Sequence, residues 1–561
     1  MQVLPVTPSL KNPLSTAAFW AVAVVLLFWG LGDTGLWNSE DRWVEIAREM
    51  KLSGNYFQPT INGALYFDKP LLSYWLVLAF STLTGGINEW SLRLPSAIGG
   101  LLTLWATLGL GRLLWSESVG RLAGWLLLTC YGLLMWSRLG EADMENLAAT
   151  TLAVYWYWRH RGRTGFLSYW IFYLIIFIGA QTKGLAAVAV PALAVLADLW
   201  RSRSWRKHIN FTHLSAMGAG LVFYLLPFWL AGSAQPSTSN GAGLLMVFRE
   251  NVVRYFAPFD HDDPFYTYFW ALPLLFMPWV PMLAGAFLQA WRMRGSLAEP
   301  TRWLLLAGGL IFLFFTVSGS RRIYYILPLL PYCALLTAVV YSDVIARKRL
   351  RPMLVLQALL LLLLVVLNLV APLLGGHLGQ PLRAQLDVSS LMICSVIGAA
   401  AVVVWLLCAE RAHHRGEPVP LLNVPALIGV AAMVFGGFFL VQRAMIDSYR
   451  TEWKFAEELF PLAAQISPGQ IAVFRERLPA GVLFYADLPV PVIILNDADA
   501  LRNFLRTPPY PKLLLSSSEF SGELPAELQA AQPKIREARN AWEKAQVAKL
   551  NAWLIERPAA P

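Results

Sequence analysis

Three short stretches of this chain hold residue types suited to moving protons and binding phosphate. In Trp37-Asn38-Ser39-Glu40-Asp41-Arg42-Trp43, two carboxylates and a guanidinium directly follow an apolar run. Tyr66-Phe67-Asp68-Lys69-Pro70 places a cation beside an acid, and Glu141-Ala142-Asp143-Met144-Glu145 carries three acids. A carboxylate takes a proton from an attacking hydroxyl or orients a polar substrate, whereas Lys, Arg and Tyr suit an anionic group. Arg138, Lys183, Arg249, Glu250, Arg254, His261, Asp262, Asp263, Arg321 and Arg322 fall on the same predicted side of the chain. An ionised group near the centre of a bilayer costs on the order of 2.5 to 3.5 kcal/mol, so one outward-facing mixed-charge pocket is the economical reading. Each member also has a plainer role. An isolated Arg anchors a span end, Asp143 caps the helix after it, and His261 sits in a solvated turn. The acids around Asp143 are too unspecific to predict a metal.

The elements that must position these residues follow from composition. Of 561 residues, 57% are hydrophobic and only 14% charged, and the mean hydropathy is +0.51. Such a chain cannot solvate its surface in water, which excludes a soluble protein and a disordered one. Unbroken apolar runs such as Leu354 to Leu374 exclude an alternating transmembrane barrel and leave spanning helices. Thirteen spans are predicted, near 16–37, 91–111, 121–137, 143–158, 166–180, 183–200, 213–232, 266–290, 303–318, 323–344, 354–374, 389–408 and 421–441. The first is read as a retained helix rather than a cleaved signal, having no convincing small-residue cleavage site.

With the N-terminus inside, every short inner turn is basic, from Arg112 and Arg121 through Arg201, Arg203, Arg206 and Lys207 to Arg411 and Arg415. The net charge of +10 is therefore topological, and no nucleic-acid partner is expected. The four cysteines lie in apolar runs and predict neither a metal site nor a disulfide.

The outer side receives segments 38–90 and 233–265 and the tail after 441. Two interfacial helices are expected in the first, at 39–51, with Val44, Ile46, Ala47 and Met50 as its apolar set, and at 71–83. The domain reading is 1–441 for the membrane part and 442–561 for a small outer α/β domain. Its strands are predicted at 471–474, 482–486 and 492–495, with a helix over 523–553.

The three opening segments, with Leu92-Arg93-Leu94-Pro95-Ser96, Thr182-Lys183-Gly184 and Tyr325-Ile326-Leu327-Pro328, resemble the bacterial aminoarabinose transferase and protein O-mannosyltransferase group of polyprenyl-phosphate-sugar glycosyltransferases. The likeness runs in order over about residues 16–345. It implies an all-α polytopic membrane fold of GT-C type, with about 13 transmembrane helices, outer interfacial helices and a C-terminal periplasmic α/β domain. Carried over motif by motif, it makes Glu40, Asp41 and Asp143 candidate catalytic acids. Arg42, Tyr66, Lys69, Arg249, Arg254, His261, Arg321 and Tyr325 become candidate substrate-binding residues, with Lys69 first for the donor phosphate. Members of the group usually carry Asp-Glu, one spacer, then Arg-Tyr. Here Ser39 replaces the first acid, Glu40 matches the second, and Asp41 serves as the missing carboxylate only if the loop shifts by one residue.

The expected function is transfer of a sugar, foremost 4-amino-4-deoxy-L-arabinose, from undecaprenyl phosphate to lipid A phosphate at the periplasmic face of the bacterial inner membrane. An anionic acceptor needs no base, which suits the Ser39 substitution. Transfer to a protein hydroxyl or another envelope glycan is the nearest alternative, and a lipid-linked substrate transporter the non-enzyme one. No cofactor is expected; the partners are the lipid-linked donor, lipid A or another envelope acceptor and the bilayer, and the protein is expected to be a monomer.

Overall fold

The computed structural model describes residues 13–37, 39–233, 245, 248–249, 253–256, 263–374, 388–417, 424–434, 440, 451–539 and 548–557. Helix α1 (Pro13–Phe28) ends well before the predicted 37. Gly30 follows with φ 61°, a conformation that favours glycine, and the chain leaves the helix. The carbonyls released there are not wasted: those of Leu31, Thr34 and Gly35 all accept from Arg93.

Two helices form where the outer loop predicted them, α2 (Glu40–Ser53) and α3 (Leu72–Ser81). Gly54 in the left-handed conformation stops α2, as Ser53-Gly54 implies. Val44, Ile46, Ala47 and Met50 are buried in one cluster with Leu71, Tyr74 and Val77. Unlike a helix lying half in water, α2 is covered on its polar side too, where Glu45, Arg48 and Glu49 are buried. Between the helices, Asn62-Gly63, both at positive φ, close the hairpin of β1 (Thr60–Ile61) and β2 (Ala64–Leu65).

Helix α4 (Glu89–Leu114) opens with a capping box of Asn88 and Ser91 and packs closely on α7 (Asp143–Arg159). The approach depends on Gly99, where an added Cβ would lie 2.8 Å from the Met144 carbonyl oxygen. Helices α5 (Glu117–Leu128), α6 (Tyr131–Trp136), α8 (Phe166–Ala180), α9 (Ala186–Ser202) and α10 (Phe211–Ser233) complete the first half. Later helices include Glu299–Val317, Leu330–Ser342, Arg351–Leu374 and Val388–His414. A continuous core of apolar side chains runs through them.

Among the described residues, six helices are long and apolar enough to cross a membrane. Thr267–Leu275 and Val280–Arg292 meet the same length and composition only as a pair, and that pair is bent by 116° where 266–290 predicted one rod. Pro273, Pro278 and Pro281 interrupt the helical bonding there. Several other predicted spans exist as shorter helices, among them α7, α8 and α9, and 121–137 is split into α5 and α6.

The predicted domain boundary at 441/442 lies outside the described residues, and the tail from Thr451 onward builds a five-stranded sheet of order β4-β3-β5-β7-β6. Strands β3 (Ile471–Phe474), β4 (Ile493–Leu495) and β5 (Lys512–Ser517) run parallel, and β7 (Leu550–Ile555) is antiparallel to β5 and to β6 (Ile535–Arg536). β3 and β5 are buried throughout, as continuous apolar strands between helices should be. Two expectations fail. The predicted strand 482–486 is instead the second half and C-cap of a helix, Ala480–Tyr485, that follows Pro479. Among the described residues of the 523–553 stretch, the α-helix is confined to Ala526–Ala530, which ends before Pro533, and the apolar end of the stretch pairs with β5 as β7.

Candidate active site

The beginnings of α2 and α7, the hairpin loop after β2, the α8–α9 turn and the Arg322–Pro328 segment converge on one cavity of about 880 Å³. Its polar lining includes Ser39, Arg42, Tyr66, Asp68, Lys69, Glu141, Asp143, Lys183, Asp263 and Arg322. Its apolar wall includes Trp136, Leu185, Ala189, Phe228, Phe314, Phe315 and Leu327. One space is therefore lined by side chains of both charges and by aliphatic and aromatic ones.

Arg42, in the first turn of α2, donates to the Tyr66 hydroxyl at 2.7 Å, tying helix to hairpin loop. Lys69 is paired with Asp68 at 2.9 Å and is partly buried, held in place by the turn into α3 that Pro70 starts. Asp143 stands in the first turn of α7, where the helix N-terminus favours an anion. The Lys183 ammonium forms an ion pair with it and lies 4.5 Å from the Tyr324 ring centre and 5.6 Å from that of Tyr325. Beside them the Ser39 hydroxyl donates to Glu141 Oε1 at 2.6 Å. Burial, helped by Asp143, raises the Glu141 carboxyl above its usual range, against the pull of Lys183 and Ser39.

Of the predicted catalytic acids, only Asp143 reaches this cavity. Glu40 is fully buried behind it. Its carboxylate accepts from Arg93 Nε at 2.8 Å and Nη2 at 2.7 Å, and from the Gly140 and Trp37 amides at 2.6 and 2.7 Å. Burial alone would raise this acid, but Arg93 and the two amides hold it below the usual carboxylate range. Gly140 can sit there only without a side chain, because a Cβ would strike Leu92. Asp41 points elsewhere again: it accepts from its neighbour Arg42's amide and from the Gly481 amide of the C-terminal domain. Burial raises its carboxyl despite those two bonds. The catalytic expectation for Glu40 and Asp41 is thus corrected, the one being a sealed strut and the other a link to the tail domain.

The predicted binding residues divide similarly. Arg42, Tyr66, Lys69 and Tyr325 line the cavity. Arg321 does not; its guanidinium bonds the Thr316 and Asp263 carbonyls, and Arg322 faces the cavity in its place. Arg249 is exposed and outside the lining. Arg254 opens a helical turn, Arg254–Phe256, whose Tyr255 and Phe256 line the cavity, while its own side chain and the whole of His261 lie outside the described residues. Sequence reasoning left Glu141, Lys183 and Arg322 out of the candidate set although their charges were noted. Among the described residues, no three His, Cys, Asp or Glu side chains gather as a metal ligand set.

Residues 68–230 match the family model of dolichyl-phosphate-mannose-protein mannosyltransferases. An undecaprenyl phosphate-alpha-4-amino-4-deoxy-L-arabinose arabinosyl transferase of Pseudomonas paraeruginosa is 30% identical over 320 residues, covering 54% of this chain and 56% of its own length. The match thus spans little more than half the length of that curated relative. A second such transferase, from Pseudomonas fluorescens, is 28% identical over 463 residues, covering 78% of this chain and 75% of its own. The crystal structure of ArnT from Cupriavidus metallidurans bound to undecaprenyl phosphate superposes with a TM-score of 0.73 at 20% identity, over 96% of this chain and 97% of that one. Its apo form gives 0.69. At such identity the superposition speaks for the fold, and the sequence matches for kinship. The chain therefore has the fold of that aminoarabinose transferase structure and is similar in sequence to curated aminoarabinose transferases.

Proposed function

We propose that this protein is an integral membrane glycosyltransferase that moves 4-amino-4-deoxy-L-arabinose from undecaprenyl phosphate to a lipid A phosphate at the periplasmic face of the inner membrane. The observation that carries the reading is a single cavity lined both by Lys69, Arg42 and Arg322 and by apolar side chains such as Leu185, Phe314 and Leu327. A lipid-linked sugar needs both environments at once: cations for its phosphate and an apolar wall for its isoprenoid chain.

In this reading the donor phosphate sits against Lys69, with Arg42 and Arg322 adding charge. An acceptor oxygen attacks the anomeric carbon, and the bond to the phosphate oxygen breaks with its electron pair, inverting the centre. Cations already in place stabilise the charge that develops on the leaving phosphate and need no reorganisation at that moment. Tyr66 and Tyr325 hydrogen-bond the donor, and Asp143, fixed by Lys183, orients the sugar. We further infer about 13 crossings, an outward-facing cavity, a C-terminal domain at the periplasmic surface and a monomeric protein.

The test is to incubate the purified protein in bilayer discs with undecaprenyl-phosphate aminoarabinose and lipid A and weigh the acceptor. A gain of one aminoarabinose is expected, falling at least tenfold in Lys69→Ala, whose melting temperature stays within a few degrees of wild type. No gain, alongside an active relative in the same assay, would overturn the substrate assignment.

A further inference from the structure

The first outer loop lacks one acid of its family's pattern, and the residue in that place, Ser39, donates its hydroxyl to a carboxylate 102 positions away, Glu141. The backbone of Glu141 is fixed from two sides: its carbonyl accepts from the Ser96 hydroxyl of α4 at 3.0 Å and from the Asp143 amide at 2.8 Å. Glu141 lines the cavity with Asp143 and Lys183. Asp143 beside it is ion-paired with Lys183, which also pulls on Glu141.

We propose that Glu141 is the catalytic base of this protein, taking the proton of an O–H acceptor from the turn before α7, in place of the acid missing at Ser39. The proposal rests on the transferase reading above. As the acceptor oxygen bonds to the anomeric carbon, its proton passes to Glu141, the carbon–oxygen bond to the donor phosphate breaks, and polyprenyl phosphate leaves with the electron pair. Glu141 then returns its proton to water. Within that reading the lipid A phosphate enters in its singly protonated form and gives that proton to Glu141, as a hydroxyl acceptor would; a fully ionised phosphate needs no such step.

The surroundings suit the task. Burial and the neighbouring Asp143 raise the Glu141 carboxyl, opposed by Lys183 and the Ser39 hydroxyl, with Glu40 adding a smaller upward push. Glu145, the remaining acid nearby, faces Ser96 of α4. A carboxyl with a raised pKa is a stronger base, and its active, deprotonated form accumulates as pH increases through that pKa. Turnover should therefore rise with pH along an acid limb that belongs to Glu141.

The experiment compares wild type, Glu141→Gln, Glu141→Asp and Ser39→Ala in two measurements, undecaprenyl phosphate binding and the pH profile of kcat. Glu141→Gln keeps a Ser39 acceptor and the side-chain volume. It is expected to bind undecaprenyl phosphate within about threefold of wild type while losing roughly 10² to 10⁴ in kcat and the acid limb. Glu141→Asp should restore part of the rate, and Ser39→Ala should move the limb to higher pH by removing a hydrogen bond to the charged form. Full turnover with an intact acid limb in Glu141→Gln would overturn this inference alone. A wild-type protein that neither binds the polyprenyl phosphate nor transfers sugar would overturn the transferase reading and this inference with it.

Discussion

Two buried acid–base pairs stand a few residues apart in this protein and behave differently. In Glu40–Arg93 the side chains are 0% and 2% exposed, and each carboxylate oxygen accepts two hydrogen bonds. In Asp143–Lys183 the side chains are 6% and 21% exposed, and both residues line the cavity. The first pair binds α2 to α4 and to the carbonyls after α1; with its bonding saturated, it has nothing to offer a substrate. The second keeps a charged surface facing an open space. A buried ion pair is thus a scaffold or a site according to how much of its hydrogen-bonding capacity the fold has already consumed.

The contrast breaks most visibly at Arg93. Arg93→Ala leaves Glu40 charged and buried and strips the donor from the Leu31, Thr34 and Gly35 carbonyls. A loss of about 3 to 5 kcal/mol is expected, read as a collapse of the thermal unfolding transition in detergent or as failure to accumulate in the membrane. Adding Glu40→Met should recover only part of it, because those carbonyls stay unsatisfied. If Arg93→Ala melted like wild type, the sealed pair would not be the strut described.

At the open pair the loss should fall on rate rather than on folding. Lys183→Ala or Asp143→Asn is expected to lower sugar transfer by roughly 10² to 10³, as removal of one oriented electrostatic group does. The melting temperature should shift by no more than a few degrees, because the cavity lets water reach the partner left behind. A thermal shift as large as that of Arg93→Ala would erase the distinction.

A third pair, Glu45–Arg48 on α2, sharpens the comparison. Arg48 holds Glu45 through two bonds of 2.8 Å and also reaches Asp487 and the Leu488 carbonyl of the C-terminal domain at 3.0 Å. Burial outweighs Arg48 here, helped by Glu49, and pushes the Glu45 carboxyl from 4.5 to about 7. The folded state then holds this proton more tightly than the unfolded state. The contribution of Glu45 to stability is greatest below pH 4.5 and is lost as pH rises to about 7, by on the order of 1 to 3 kcal/mol. Melting curves at pH 5 and pH 8 should show the decline, and Glu45→Gln should flatten it.

Local patterns carried the sequence reading furthest. Ser53-Gly54 marked the end of α2, and apolar runs bounded by turns marked β3 and β4. The 523–553 stretch misled because its charged residues favour a helix in isolation, whereas its last apolar residues find a partner in β5, a strand the sequence did not announce. Side-chain direction was the other gap. Glu40 and Asp41 are successive residues of a helix, about 100° apart around its axis, so one meets Arg93 and the other the tail domain. Arg322 lies in extended backbone, φ −143° and ψ 149°, where neighbours face opposite sides, and so Arg321 turns away while Arg322 lines the cavity. Glu40 and Arg93 are 53 positions apart and Ser39 and Glu141 are 102 apart, distances over which no local pattern speaks.

The central claim is that the cavity seats a polyprenyl phosphate, head on the cations and tail along the apolar wall. Photolabelling with an undecaprenyl phosphate carrying a diazirine near its head, followed by peptide mapping, tests it most directly. Label should fall on the Leu185–Ala189 and Phe314–Pro328 peptides, decline when unlabelled undecaprenyl phosphate competes, and drop severalfold in Lys69→Ala. Label confined to outer faces such as Arg351–Leu374, indifferent to competitor and to Lys69, would contradict the claim.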